Sequence, residues 1–135
     1  MNSVPARLTI SELESIGSQL RKYKSGELHT INFSGAEQGV DDSVIQRLAG
    51  HTRLVELNLA NSQITDLAMS YLSGHIALRT LHLQNTQLTD ACLSHLLKLQ
   101  QLQLLVLTGT QITPTAVAKM RSAMLNTRII LNRTP

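Results

Sequence analysis

The apolar positions of this chain obey one rule three times over. Aligned on Leu54, Leu78 and Leu102, three segments read LVELNLANSQIT, LRTLHLQNTQLT and LQLLVLTGTQIT at a constant period of 24 residues. Each places apolar side chains at offsets 0, 3, 5 and 10; the third position is Leu59, Leu83 and Leu107, and the fourth is Ile64, Leu88 and Ile112. Around the fourth position the polar residues also recur: a hydroxyl (Ser62, Thr86, Thr110), a glutamine (Gln63, Gln87, Gln111) and a following threonine (Thr65, Thr89, Thr113). Self-similarity at such a period marks a repeat architecture, in which one supersecondary unit is stacked on the next. Upstream, Leu28, Ile31 and Phe33 repeat the strand core, and Val40 takes the fourth role after a two-residue insertion between Gly35 and Gly39. Downstream, Asn126, Ile129 and Leu131 fall in register, giving about four repeats and a closing strand.

In the L-x-L core the two apolar side chains point the same way, because side chains alternate along a strand. Each repeat therefore predicts one short strand with one buried face. Successive strands are joined by crossovers and so run parallel. The crossover predicts a short helix: Asp41-Asp42, Thr65-Asp66 and Thr89-Asp90 stand where an N-cap belongs, and Pro114 suits a first helical position after Thr113. Behind these caps Ile45/Leu48, Met69/Leu72, Leu93/Leu96 and Val117/Met120 recur at spacing three and close the core. Cys92 aligns with Val44, Ala68 and Ala116 and reads as a small core filler. Residues 1–27 depart from the repeat. Thr9-x-x-Glu12 is a capping box, Leu8 can staple on Leu13, and Leu13, Ile16 and Leu20 follow at helical spacing until Lys24-Ser25-Gly26. The reading is one domain: a capping helix in 1–27 and the repeats in 28–135.

The motif LxxLxLxx(S/T)x(I/L)T resembles the leucine-rich repeat family over about residues 28 to 133, with Ser62, Thr86 and Thr110 where many members carry Asn or Cys. The resemblance implies a short right-handed α/β solenoid, its parallel sheet on the concave side, short helices on the convex side and an N-terminal helical cap. It also implies protein or peptide binding on the concave face. The closing ITPTAVAKM and RIIL are similar to bacterial repeats that end larger chains, some with a c-type haem domain upstream, which this sequence does not contain. An accessory tail of a larger bacterial protein, or an effector that engages host proteins, is therefore an alternative role. With no apolar signal segment in the first thirty residues, a complete chain is expected in the cytoplasm; a fragment could be extracytoplasmic.

Composition narrows the chemistry. Apolar residues make up 42% and charged ones 16% of 135 residues, enough for a core, while aromatics are 2%. A single cysteine rules out an internal disulfide and a Cys-built zinc site. No apolar run is long enough to cross a bilayer. Residues 1–67 carry six basic and eight acidic side chains; residues 68–135 carry six basic and only Asp90. The basic groups Arg21/Lys22/Lys24 and Lys119/Arg121/Arg128/Arg133 lack the interleaved aromatics of nucleic-acid modules and read as solvated surface. His51 and His75 are equivalent in successive repeats, but a metal site would need a third ligand in register. Imidazoles bonded to turn carbonyls fit better. The glutamine and hydroxyl ladders read as support for the turns of adjacent repeats. No GxGxxG, GxxxxGK or CxxCH is present, so no nucleotide or haem cofactor is expected.

The outward strand positions form three columns across the repeats. The first is Thr30, Glu56, Thr80, Leu104, Arg128; the second is Asn32, Asn58, His82, Val106, Ile130; the third is Ser34, Ala60, Gln84, Thr108, Asn132. Glu56, Asn58, Thr80, His82, Gln84, Leu104, Val106, Arg128 and Ile130 are the candidate protein-binding residues, with Leu104, Val106 and Ile130 expected to lie exposed together. His82 near Glu56 could act as an acid/base pair, but no nucleophile or oxyanion donors accompany it, so no enzyme is expected. Five strands at ~4.8 Å give a face about 20 Å long and on the order of a few hundred Å² in area, below the ~800 Å² per partner of a standard interface. A second class of reading is self-association, with Arg128, Ile130 and Asn132 on an unpaired edge strand forming a homodimer.

Overall fold

The structure is a computed structural model that describes residues 6–36 and 39–131. Six strands form one sheet in the order β1-β2-β3-β4-β5-β6: β1 (Gln19–Lys22), β2 (Leu28–Asn32), β3 (Glu56–Asn58), β4 (Thr80–His82), β5 (Leu104–Val106) and β6 (Arg128–Ile130). From β2 onward all neighbours are parallel. The middle residues Ile31, Leu57, Leu81, Leu105 and Ile129 stand in one register row and are buried. The step from β2 to β3 is 26 residues and every later one is 24, which places the two extra residues in the first connection; 37–38 fall in that segment, outside the described residues.

The crossovers carry α2 (Asp42–Gln46), α3 (Asp66–Ser70), a 3-10 turn (Asp90–Cys92) continuing into α4 (Leu93–Leu96), and α5 (Pro114–Ala123). The caps are as the sequence predicts. Asp41 accepts from the N–H groups of Ser43 and Val44, Thr65 from Leu67, Thr89 from Ala91 and Thr113 from Ala116. Helices this short have almost no intrinsic stability. They persist because Ile45, Leu48, Met69, Leu72, Leu96, Val117 and Met120 are buried against the sheet, with Leu93 half-buried at the rim.

Side chains of one repeat also grip the next. Asp42 accepts from the Thr65 N–H (2.7 Å) and hydroxyl (2.5 Å), Asp66 from those of Thr89 (2.8 and 2.6 Å), and Asp90 from those of Thr113 (both 2.8 Å). The Thr-Asp dipeptide thus has two jobs: the threonine caps its own helix and the aspartate clamps the following cap. At the strand exits Asn61 (φ 64°), Asn85 (φ 57°) and Gly109 (φ 80°) share a left-handed position, and the Asn85 amide donates to Asn61 Oδ1 at 3.0 Å. Ser62, Thr86 and Thr110 donate to the carbonyls of Leu59, Leu83 and Leu107 in their own repeats, not across repeats. The side chains of Gln63, Gln87 and Gln111 are exposed and form no amide stack; the backbone N–H of Gln63 and of Gln111 bonds the preceding repeat instead.

The N-terminal segment differs from the expected single helix. The capping box of Thr9 and Glu12 forms, and Leu8 and Leu13 are buried, but α1 (Ile10–Ile16) stops at Gly17, which is left-handed at φ 99°. The chain then turns into β1, antiparallel to β2. Leu20 pairs with Ile31 and packs on the core, so its helical spacing from Leu13 and Ile16 is coincidental. Arg47 ties this segment to the first repeat, donating to the Ala6 carbonyl (2.8 Å) and to Glu12 (3.0 Å).

Candidate protein-binding face

Strand alternation sends the residues flanking the buried middle row to the other side of the sheet. The observed registers align Thr30, Glu56, Thr80, Leu104 and Arg128 in one column and Asn32, Asn58, His82, Val106 and Ile130 in the next, as expected from the repeat. β1 adds a sixth strand to this face. Arg21 pairs with Thr30 and Gln19 with Asn32, so these two residues extend the columns. A helix over this segment hid them; the alternation Gln19-Leu20-Arg21 after a Gly-Ser break is the signal that was available.

The polar end of the face is partly self-supporting. Asn32 Oδ1 accepts from the N–H and hydroxyl of Ser34 (2.9 and 2.7 Å), and Asn58 Oδ1 from the N–H of Ala60 (3.0 Å). These asparagines shape the strand exits. His82 Nε2 lies 3.7 Å from Glu56 Oε2, a loose pair with side chains 21% and 41% exposed. A depression of about 220 Å³ opens between Arg21 and Glu56, with Gln19, Leu20, Thr30 and Asn32 around it. Gln84 is half-buried, with an Oε1 that is fully covered and unbonded.

The apolar end corrects one expectation. Val106 is only 8% exposed, and Leu104 and Ile130 are half-buried. Neighbours in a column stand one strand spacing apart, ~4.8 Å, so a short valine between His82 and Ile130 is largely covered by both. What remains presented is Leu104 and Ile130, beside the exposed Arg128. β6 holds Arg128 and Ile130 of the expected self-association edge; Asn132 lies outside the described residues, as does Arg133.

Other chemistry-bearing residues are engaged in structure. His51 Nε2 lies 2.7 Å from the Leu8 carbonyl, His75 Nδ1 lies 3.3 Å from the His51 carbonyl, and Gln101 donates to the His75 carbonyl at 3.2 Å. The two rings thus serve turn carbonyls in a chain running along one edge, as expected. His75 is 1% exposed with Nε2 unbonded, and burial lowers its pKa below 6.5. Cys92 is buried, and burial with the nearby Asp66 carboxylate pushes its thiol up to about 12. A cleft of about 510 Å³ beside α1 is lined in part by Arg7, Glu27, His51 and Arg53, but Arg53 there already meets Glu27 (3.4 Å) and stacks on Tyr23 (4.3 Å). Among the described residues no group of three His, Cys, Asp or Glu could hold a metal ion, and no helix is long and apolar enough to cross a membrane.

Among solved structures, an internalin (inlF) from Listeria monocytogenes matches 92% of this chain at 25% identity with a TM-score of 0.57. The fold is internalin-like. An internalin C2 (inlC2) from the same species matches 64% of the chain at 25% identity with a TM-score of 0.48. The chain spans 36% of the first internalin and 45% of the second, well under two thirds of either. No protein-family model and no curated protein matches it.

Proposed function

We propose that this chain is a non-catalytic, leucine-rich-repeat recognition module that binds a protein through the open face of its sheet. The observation that carries this reading is the make-up of that face. Six strands hold two unbroken columns in register, and across them the surface passes from charged and amide groups at Arg21, Gln19 and Glu56 to apolar groups at Leu104 and Ile130. An apolar patch bordered by polar and arginine side chains is the composition of a recognition surface. The leucine-rich-repeat resemblance, which implies protein binding on the concave face, supports it, and the internalin-like fold agrees with that resemblance.

The test is affinity capture from lysate, comparing wild type with a variant carrying Glu56→Arg and His82→Ala, after circular dichroism shows that both fold alike. A protein recovered by wild type and lost by the variant supports the reading. Identical recoveries would overturn it. In that event the self-association reading stands next: among the described residues β6 pairs only with β5, and light scattering of wild type against Ile130→Glu would decide it.

A further inference from the structure

The first column begins and ends on an arginine. Arg21 stands on β1 and Arg128 on β6, five strand steps apart, ~24 Å at 4.8 Å per step. Both residues are exposed, and neither forms an ion pair or side-chain hydrogen bond among the described residues. This is unlike Arg47, Arg53, Arg79 and Arg121, each of which bonds a carboxylate or a carbonyl. Between the two free guanidiniums the column carries one acid, Glu56, two steps from Arg21, and one large apolar side chain, Leu104, next to Arg128. Ile130 flanks Leu104 diagonally in the second column.

Resting on the recognition reading above, we infer that the face takes a single polypeptide segment of a partner protein, laid across the strands, with an acidic side chain at each end. Charge complementarity sets the pattern: a carboxylate opposite Arg21, a basic or hydrogen-bond-donating side chain opposite Glu56, an apolar side chain on Leu104 and Ile130, and a second carboxylate opposite Arg128. Guanidinium–carboxylate pairing is directional and suits such end clamps. The area points to a segment and not a broad globular surface. A face ~24 Å long and three outward residues wide, ~13 Å, offers about 300 Å², well below the ~800 Å² per partner of a standard interface. In an extended segment at ~3.4 Å per residue, the two acids are about seven residues apart and the central base about three from the first acid. The depression between Arg21 and Glu56 receives the first of these anchor groups.

The experiment is display selection from a random linear 16-residue peptide library on immobilised wild type, Arg21→Glu and Arg128→Glu proteins. Both substituted side chains are unpartnered, so the variants are expected to fold as wild type, checked by thermal melting. Wild type is expected to enrich peptides with two acidic positions at this spacing and an apolar residue next to the second. Arg21→Glu should turn the acid on the polar side into a base and keep the other; Arg128→Glu should do the reverse. A synthetic peptide of the enriched sequence should bind each variant at least tenfold more weakly than wild type, and lose affinity as sodium chloride rises from 50 to 500 mM. Peptides enriched equally on all three proteins overturn the inference. So do peptides that need Glu56 and Leu104 but show no paired acids, although these would leave the recognition reading intact. Failure to enrich any peptide sensitive to Glu56→Arg, together with identical lysate recoveries, removes both.

Discussion

Gly109→Ala would report how tightly adjacent repeats are fitted together. Gly109 sits at φ 80°, where an L side chain costs about 1 kcal/mol. A methyl group there would collide with Asn85 Oδ1 and come 3.1 Å from both Asn85 Cγ and its backbone nitrogen. The backbone nitrogen is held by its bond to the Thr108 carbonyl (3.0 Å), so the Asn85 side chain must rotate away. Rotation breaks its 3.0 Å bond to Asn61, a further loss of about 1 kcal/mol. Together these give about 2 kcal/mol, a fall in Tm of several degrees for a domain of this size. Urea denaturation followed by circular dichroism measures it. Asn85→Gly removes the side chain that blocks the space, so Gly109→Ala should cost about 1 kcal/mol less in that background, a coupling that a double-mutant cycle resolves. Gly74→Ala is the control, since its added methyl would meet nothing within 4 Å and its φ is not positive. A Gly109→Ala protein within about 0.5 kcal/mol of wild type, or a cycle with no coupling, would refute the reasoning.

Three further outcomes follow from the same geometry. Asp66→Ala strips two bonds from Thr89 and should cost about 2 kcal/mol by urea denaturation, with a loss under about 0.5 kcal/mol counting against the clamp. Cys92, buried and with its thiol held up at about 12, should react with a disulfide reagent only at the rate of unfolding; fast labelling of the native protein at pH 8 would contradict this. The pH dependence should come in two windows. His75 has a folded pKa lowered by burial, so its contribution is complete above about pH 6.5 and declines as pH falls below it, when the unfolded chain binds the proton first. Asp90 and Asp41, lowered chiefly by the bonds they accept from Thr113 and Ser43, contribute above their ordinary value of 3.8 and lose that contribution as pH falls through their folded values. His75→Leu, which copies Leu99 of the next repeat, should abolish the drop in urea midpoint between pH 7.5 and 5.5 while keeping the lower one; an unchanged drop would assign it elsewhere.

The columns of the face were legible because a period of 24 leaves only one register for the strands. The buried faces of the short helices were legible for the same reason. β1 was not, because Leu13, Ile16 and Leu20 satisfy a helical period equally well, and only the left-handed turn at Gly17 separates helix from strand. Exposure within a column was not legible either. Strand alternation says which way Val106 points, but whether it is covered depends on the bulk of His82 and Ile130 beside it. The inter-repeat clamp had a signal that the cap alone does not explain: a cap needs only the threonine, yet Asp66 follows Thr65 and Asp90 follows Thr89. Likewise Asn61, Asn85 and Gly109 are residue types that tolerate a positive φ, at one position of three consecutive repeats.

Every aspartate clamp reaches 23 residues forward and no further: Asp42 to Thr65, Asp66 to Thr89, Asp90 to Thr113. Each repeat therefore negotiates only with the one before and the one after it. A second copy of residues 66–89 spliced in after Thr89 would bring a whole clamp of its own, its aspartate meeting the threonine at its own end, and would leave the clamps before and after it at their 23-residue spacing. The spliced chain would gain one rung, and Arg21 and Arg128 would move apart by ~4.8 Å. The span between the two arginines is thus a quantity that changes by whole repeats, so the reach of this surface can be altered by duplication or deletion without redesigning any joint.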